Sequence, residues 1–308
     1  MDKYRENITD PADDNDTSDY VDSDALDSQL DFNNLFSNRF GNVTLFYESP
    51  NGPTLLYTAT RYGKRFILKC LKEQYRKEPI YNLWLAKEFE IGISLDHPNI
   101  RRTLNLETVP GLGQTIVLEY IDGCSLKSLI DAGDITSADA RTIAGQIADA
   151  LGYIHAKQVY HRDLKPANIL VSCQGSTAKI IDFNYSDSDE FVVLKNPAGS
   201  KRYMAPEQFE AKARPTAVAD IYSFGVVMSE LAAAAGDGDL AETAAKCMDP
   251  RPEKRPQSTS LISVPRPQSP LRQAISSFLS SKILTYVLLS LCTALIAAIT
   301  IMLFTHQN

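Results

Sequence analysis

The sequence predicts an α+β body folded in two lobes, and three observations carry that expectation. Over residues 40–71 apolar and polar positions alternate with the period of half-buried strands. Further on, "SADARTIAGQIADALGYIHAKQ" sets its apolar residues on one face at helical spacing. A single helical stretch lies early, so strands lead and helices follow, the order of an α+β arrangement. A chain of 308 residues with 44% hydrophobic content has ample material for such a core.

Residues 1–31 carry eleven acids against Lys3 and Arg5, a net of −9, so the rest of the chain sums to +2 out of the total of −7. The acidity therefore belongs to the leader and says little about the folded part. Residues 1–39, poor in aromatics and rich in Asp, Ser and Asn, read as a disordered acidic leader. Nothing in it resembles a signal peptide, which needs an apolar core after basic residues. From 40 to 71 the alternation is broken at "SPNGP" and "RYGK", which predicts a small antiparallel sheet with two turns. "FILKCL" is a strand with one lysine, Lys69, in an apolar run; alone, that lysine reads equally well as one snorkelling from a strand edge.

"NLWLAKEFEIGISL" has helical periodicity and stops before the turn "DHPNI". "TIVLEYI" is strand-like, and "DGCSL" turns into helical sequence. Ser137 is read as the N-cap of the long amphipathic helix. Two short strands follow, "NILVS" and "AKIIDF", separated by "CQGST". Residues 40–262 form the folded body on this reading, and the Pro/Ser-rich residues 263–282 form a linker. Residues 283–304, "ILTYVLLSLCTALIAAITIMLF", hold no charge and would span about 33 Å as a helix, enough for a bilayer core. Arg266, Arg272 and Lys282 precede the run, which predicts a single-pass tail anchor with the body in the cytoplasm. Five scattered cysteines (Cys70, Cys124, Cys173, Cys247 and Cys292) have no CxxC spacing, which argues against a disulfide framework and a zinc site.

Between the short strands and the long helix stands "HRDLKPANIL", His161 to Leu170. Within it His-Arg-Asp is followed by Asn168. With it, in order, come Lys69 on a strand, Glu88 on a helix before "HPNI", Asp182-Phe183, "GSKRYMAPE", "DIYSFG" and "DPRPEKRP". Over about residues 40–256 the chain thus resembles the eukaryotic-type (Hanks-type) serine/threonine protein kinase family. The resemblance implies a bilobal fold, with a small antiparallel-sheet lobe carrying one helix and a mainly helical second lobe. It also implies ATP as phosphoryl donor with magnesium, or manganese in its place.

By that resemblance Asp163 accepts or orients the proton of the attacking hydroxyl, and Lys165 offsets charge at the γ-phosphate. A lysine within "DLKPAN" is more similar to serine/threonine kinases than to tyrosine kinases. Asn168 and Asp182 supply oxygen ligands to the metal, and Lys69, held by Glu88, meets the α- and β-phosphates. Adenine would lie at Glu119-Tyr120-Ile121, between Leu56, Ile67 and Leu170, with Leu118 limiting the pocket behind. Glu207 and Arg255 would form a buried ion pair, and Asp220 would brace the catalytic loop. The implied partners are a protein substrate of unspecified identity and, through residues 283–304, a lipid bilayer; no nucleic acid beyond a nucleotide is implied.

The chain departs from the family pattern at several positions. The glycine-rich loop falls on Ser49, Asn51 and Thr54, with Gly52 out of register, which predicts a loose phosphate clamp. Ile67 stands in place of a usual alanine, Gly92 in place of a bulky apolar residue, and Asn184 in place of the glycine after Asp182-Phe183. Gly92 is expected to loosen its helix, whereas Asn184, a residue tolerant of positive φ, is expected to keep its turn. After "DIYSFG" a helix of the family looks shortened or missing. Asn196 replaces a common phosphosite four residues before Ser200, and Ser186 and Ser188 lie in an acidic run. An active membrane-tethered kinase is the first reading. A membrane-anchored pseudokinase scaffold is the alternative, motivated by the poor glycine loop and Asn184. A small-molecule kinase is third, and "YMAPE", "DIYSFG" and Arg255 count against it.

Overall fold

The computed structural model describes residues 39–50, 52–173, 177–183, 201–209, 216–266 and 290. The leader through residue 38, Asn51, Asn184, Ser186, Ser188, Asn196, Ser200, the linker beyond 266 and all of the 283–304 run but Ser290 lie outside them.

Three strands open the body: β1 (Gly41–Glu48), β2 (Thr54–Arg61) and β3 (Lys64–Leu71). Tyr62 and Gly63 form the tight turn between β2 and β3, both at positive φ, where Gly63 meets no steric penalty. Two more strands, β4 (Thr103–Val109) and β5 (Gly113–Glu119), complete an antiparallel sheet of order β1-β2-β3-β5-β4. The sequence reading passed over β4, because "TLNLETV" is a short strand that leaves several of its residues exposed. Helix α1 (Pro79–Ile93) packs on the face of the sheet that carries Ile67, Lys69 and Leu71. Trp84 and Leu85 of α1 are buried there with Ile67, Leu71, Ile116 and Leu118.

The second lobe is built on helices. Its first elements are a short strand β6 (Gly123–Ser125) and helix α2 (Leu126–Ala132), the latter capped by Ser125. Helix α3 (Ser137–Ala156) buries Ile143, Ile147, Leu151 and Ile154 on one stripe, the face its periodicity predicts. Its N-cap is Thr136, whose hydroxyl oxygen accepts from Asp139 N at 3.1 Å, and not Ser137. Both residue types can cap, and tertiary contact separates them. Ser137 donates its hydroxyl to Asp237 Oδ2 at 2.5 Å, a residue a hundred positions away.

Strand β7 (Ile169–Ser172) pairs with β6 on one side and with β8 (Ala178–Ile180) on the other in a small second sheet. Helix α4 (Ala217–Ala235) supplies Phe224, Val227, Met228 and Leu231 to the same core as α3. Among the described residues α4 alone is long and apolar enough to cross a membrane. Its apolar side chains are nevertheless taken up by the protein interior. After Gly236 (φ +65°) and Asp237, helix α5 (Gly238–Cys247) begins at once, so α4 and α5 form a closed hairpin. Asp237 caps α5 at Leu240 N (3.1 Å) and is gripped by Arg141 of α3.

Gly92 is the penultimate residue of α1, which ends at Ile93. It allows β4 to lie close: a Cβ placed there would be 3.0 Å from Thr103 Cβ and nearer still to Thr103 Oγ1. Packing therefore overrides the low helix propensity of glycine. Gly92→Ala gains about 1 kcal/mol of helix propensity but forces this contact apart. We expect a net loss of about 1–2 kcal/mol, read as a lower midpoint of unfolding in urea.

Candidate active site

The site lies where the two lobes face each other, and each lobe contributes through an element whose position follows from its pattern. In β3 the period of two sends Lys69 to the same face as Ile67 and Leu71, under α1. Lys69 is 3% exposed, and its Nζ lies 2.5 Å from Glu88 Oε1 of α1 and 3.0 Å from Asp182 Oδ1. Burial pulls the Lys69 ammonium down, but Asp182 and Glu88 outweigh it, and the lysine is held above its ordinary value. Burial would raise Asp182, yet Lys69 and then Arg101 hold its carboxyl below the usual range. Burial pushes Glu88 up against the opposing pull of Lys69, and the neighbouring Asp182 carboxylate adds to the rise. Among the described residues Glu88 Oε2 has no hydrogen-bond partner.

The catalytic-loop residues are set by the second lobe. Asp220, at 1% exposure in the first turn of α4, accepts from His161 N and Arg162 N, each at 2.8 Å, and meets His155 Nε2 at 2.9 Å. One buried carboxylate thereby fixes two consecutive backbone amides, including that of Arg162 in its left-handed conformation (φ 62°). His161 is fully buried, its ring 5.3 Å from that of Phe183 and its Nε2 3.1 Å from Ile181 O. Asp163 Oδ2 then accepts from Lys165 Nζ (2.8 Å) and Asn168 Nδ2 (3.2 Å). Asn168 Nδ2 also donates to Asp163 O at 2.8 Å, so the amide nitrogen is occupied by Asp163 and the oxygen is the end left for a cation. Asp182 has φ +70°, a left-handed position that Asp tolerates better than most residues.

These groups share one cavity of about 640 Å³, lined among others by Leu56, Lys69, Asp163, Lys165, Asn168 and Asp182. Ser49, Gly52 and Thr54 of the β1–β2 connection border it too. Ile67, Glu119, Ile121 and Leu170 do not line it. Ile67 is buried beside Leu118 and Ile116. Glu119 ends β5, with its carboxylate 2.9 Å from Lys179 Nζ through both oxygens and its N–H on Arg102 O. Ile121 follows β5 half-buried, and Leu170 stands opposite Lys179 in the β7–β8 register. Leu118, 3% exposed, walls a smaller cavity together with Gly92, Thr103 and Phe183. Away from the cavity, Arg255 Nη1 and Nη2 meet Glu207 Oε1 and Oε2 at 2.7 and 2.8 Å.

The donor set suits a hard divalent cation. A carboxylate and an amide oxygen on one cavity wall offer two oxygens, and magnesium commonly takes its remaining ligands from phosphate and water. Sequence reading missed one cation in this site, Arg101, which borders both cavities. The signal was present: two arginines directly after "HPNI", at a point where the chain passes from the buried Ile100 into a strand.

A model of the protein kinase domain matches residues 51–236 of this chain. A serine/threonine-protein kinase of Streptomyces coelicolor, PkaA, is 34% identical over 55% of this chain and 32% of its own length. CBL-interacting serine/threonine-protein kinase 8 of Arabidopsis thaliana is 42% identical over 38% of this chain and 27% of its own. Serine/threonine-protein kinase PrkC of Bacillus subtilis is 33% identical over 53% of this chain and 26% of its own. The chain thus spans about a third or less of the length of these relatives.

Proposed function

Because the chain belongs to the protein kinase domain family, we propose that it transfers the γ-phosphoryl group of ATP to serine or threonine hydroxyls of a protein substrate. The observation that carries this reading is the convergence of Lys69, Asp163, Lys165, Asn168 and Asp182 on one cavity. A scaffold without catalysis gains no support from the relatives, which are named as kinases.

In the proposed reaction the substrate hydroxyl oxygen forms the new bond to the γ-phosphorus, the bridging P–O bond breaks, and ADP leaves with that electron pair. Asp163 receives the hydroxyl proton through its carboxylate, and Asn168 and the loop amides held by Asp220 fix where that carboxylate points. Lys165, already 2.8 Å from Asp163, moves its charge onto the transferring phosphoryl oxygens. Lys69 orients the α- and β-phosphates, and Glu88 keeps it in place. Asn168 and Asp182 would hold magnesium or manganese, which when bound neutralises phosphate oxygens. Leu56, Ile67, Glu119, Ile121 and Leu170 serve the adenine on this reading. Incubation of the full chain with ATP labelled in its γ-phosphate and magnesium tests it: phosphoserine or phosphothreonine on the chain or on a generic substrate is expected. Absence of transfer with every divalent metal tried would overturn it.

The same chain is proposed to be anchored in a membrane by residues 283–304, with the kinase body in the cytoplasm. Support comes from the 22 uncharged residues and from the flanking Arg266, Arg272 and Lys282. The full chain is expected to sediment with membranes through an alkaline wash and to be released into the supernatant when residues 283–304 are deleted. Recovery of the full chain in the soluble fraction would refute the anchor.

A further inference from the structure

Arg101 is a buried cation that the reaction scheme leaves unused. Its N–H donates to Ile180 O at 3.0 Å, and Ile180 N–H in turn donates to Asn99 O at 2.8 Å. This short parallel bridge stitches Arg101 to the end of β8, two residues before Asp182. Arg101 is 8% exposed, yet among the described residues its guanidinium makes no hydrogen bond and no ion pair. It lines the cavity shared by Lys69, Asp163, Asn168 and Asp182.

An arginine keeps its charge under all ordinary conditions and presents five N–H donors. The carboxylates of Asp182, Glu88 and Glu119 act on its charge and offset part of the cost of burial, but none of them takes a hydrogen bond from it. The position therefore makes sense if an anion enters the cavity. Charge counting indicates which part of a ligand this is. Of the other charged groups that line this cavity, Lys69 and Lys165 are balanced by Asp163 and Asp182, so without Arg101 the lining carries no net charge. Arg101 brings the lining to one net positive charge, a surface that attracts phosphate, beside a β1–β2 connection that holds only one glycine, Gly52.

Building on the kinase reading, we infer that Arg101 is a second fixed cation for the nucleotide's phosphates, one that lets the site hold them with less dependence on a divalent metal. It stands in for part of the charge neutralisation that a glycine-rich loop and a metal together would otherwise supply. Its role is in binding the phosphates, and the base and sugar do not depend on it.

The test is calorimetric titration of the full chain in detergent with ADP and with adenosine, each in excess magnesium and in excess chelator. Wild type, Arg101→Met and Arg101→Lys are compared. Arg101→Met is expected to lower metal-free ADP affinity roughly ten-fold or more, the scale of a lost charge-assisted hydrogen bond. Adenosine affinity is expected to be unchanged, and Arg101→Lys to restore most of the ADP affinity. Should Arg101→Met fail to fold, Arg101→Gln carries the same comparison. Unchanged metal-free ADP affinity would overturn the inference and leave Arg101 only as a counter-charge to Asp182, Glu88 and Glu119. Equal loss for ADP and adenosine would overturn it in favour of a shape role. If wild type binds ADP in magnesium and the Met variant matches wild type in chelator, the inference alone falls; if wild type binds neither ligand in any buffer, the nucleotide-site reading falls as well.

Discussion

Exchange of Asp163 for asparagine is expected to lower phosphate transfer by roughly 10²–10⁴-fold, the usual contribution of a positioned general base. The substitution keeps the size of the side chain and an oxygen able to accept from Lys165, so the loop geometry set by Asp220 should persist. What is lost is the charge that receives the hydroxyl proton. Nucleotide affinity and the unfolding midpoint are therefore expected to stay close to wild type while the rate of transfer collapses. Single-turnover transfer from labelled ATP, together with a nucleotide titration, separates the two. A variant that retains more than about a tenth of the wild-type rate would remove Asp163 from the proton path. Parallel loss of binding and rate would point to a collapsed loop instead.

The largest effect on stability is expected at Arg255→Met. Arg255 is 2% exposed and fully used: its fork meets Glu207, its Nε donates to Asp249 O at 2.6 Å, and Nη1 and Nη2 reach Val218 O and Pro250 O. It also stacks over Tyr222, 4.8 Å from the ring centre. Methionine fills the space but leaves a carboxylate and three carbonyls without their donor. Breaking a buried pair in this way costs about 3–5 kcal/mol, on the order of 6–20 °C in melting temperature for a body of this size. Arg255→Lys should not rescue it, because an ammonium cannot reproduce the two-pronged fork. A melting temperature within about 2 °C of wild type would show that the pair carries little. The same pair has a pH signature. Burial would raise Glu207, but its bonds to Arg255 hold its carboxyl below the ordinary value. The stabilisation is therefore complete above the ordinary glutamate pKa and is lost as pH falls through the depressed one.

Much of the site was legible because its signals are local. "HRDLKPAN" confines Asp163, Lys165 and Asn168 to six residues, and a short turn can bring them together without help from afar. The strand position of Lys69 and the helix position of Glu88 followed from periods of 2 and 3.6, and the structure puts the two side chains in contact. Where two local signals competed, the sequence reading failed. Thr136 and Ser137 both suit a cap, and the choice was made by Asp237, which draws the Ser137 hydroxyl to another helix. Strand β4 was missed because its stabilisation lies in its pairing with β5 and little in its own pattern.

By itself the sequence determined that strands lead and helices follow, the α3 stripe that faces the core, and the residue types able to bind phosphate and move a proton. These follow from short-range spacing and side-chain chemistry. Only the tertiary structure decided that Gly92 is a close contact with Thr103, that the amides of His161 and Arg162 are the groups through which Asp220, expected to brace the loop, holds it, and that Arg101 lines the cavity. Each of those depends on residues more than ten positions apart. Close packing and the cost of burying unpaired polar groups settle such arrangements, and neither is written in local periodicity.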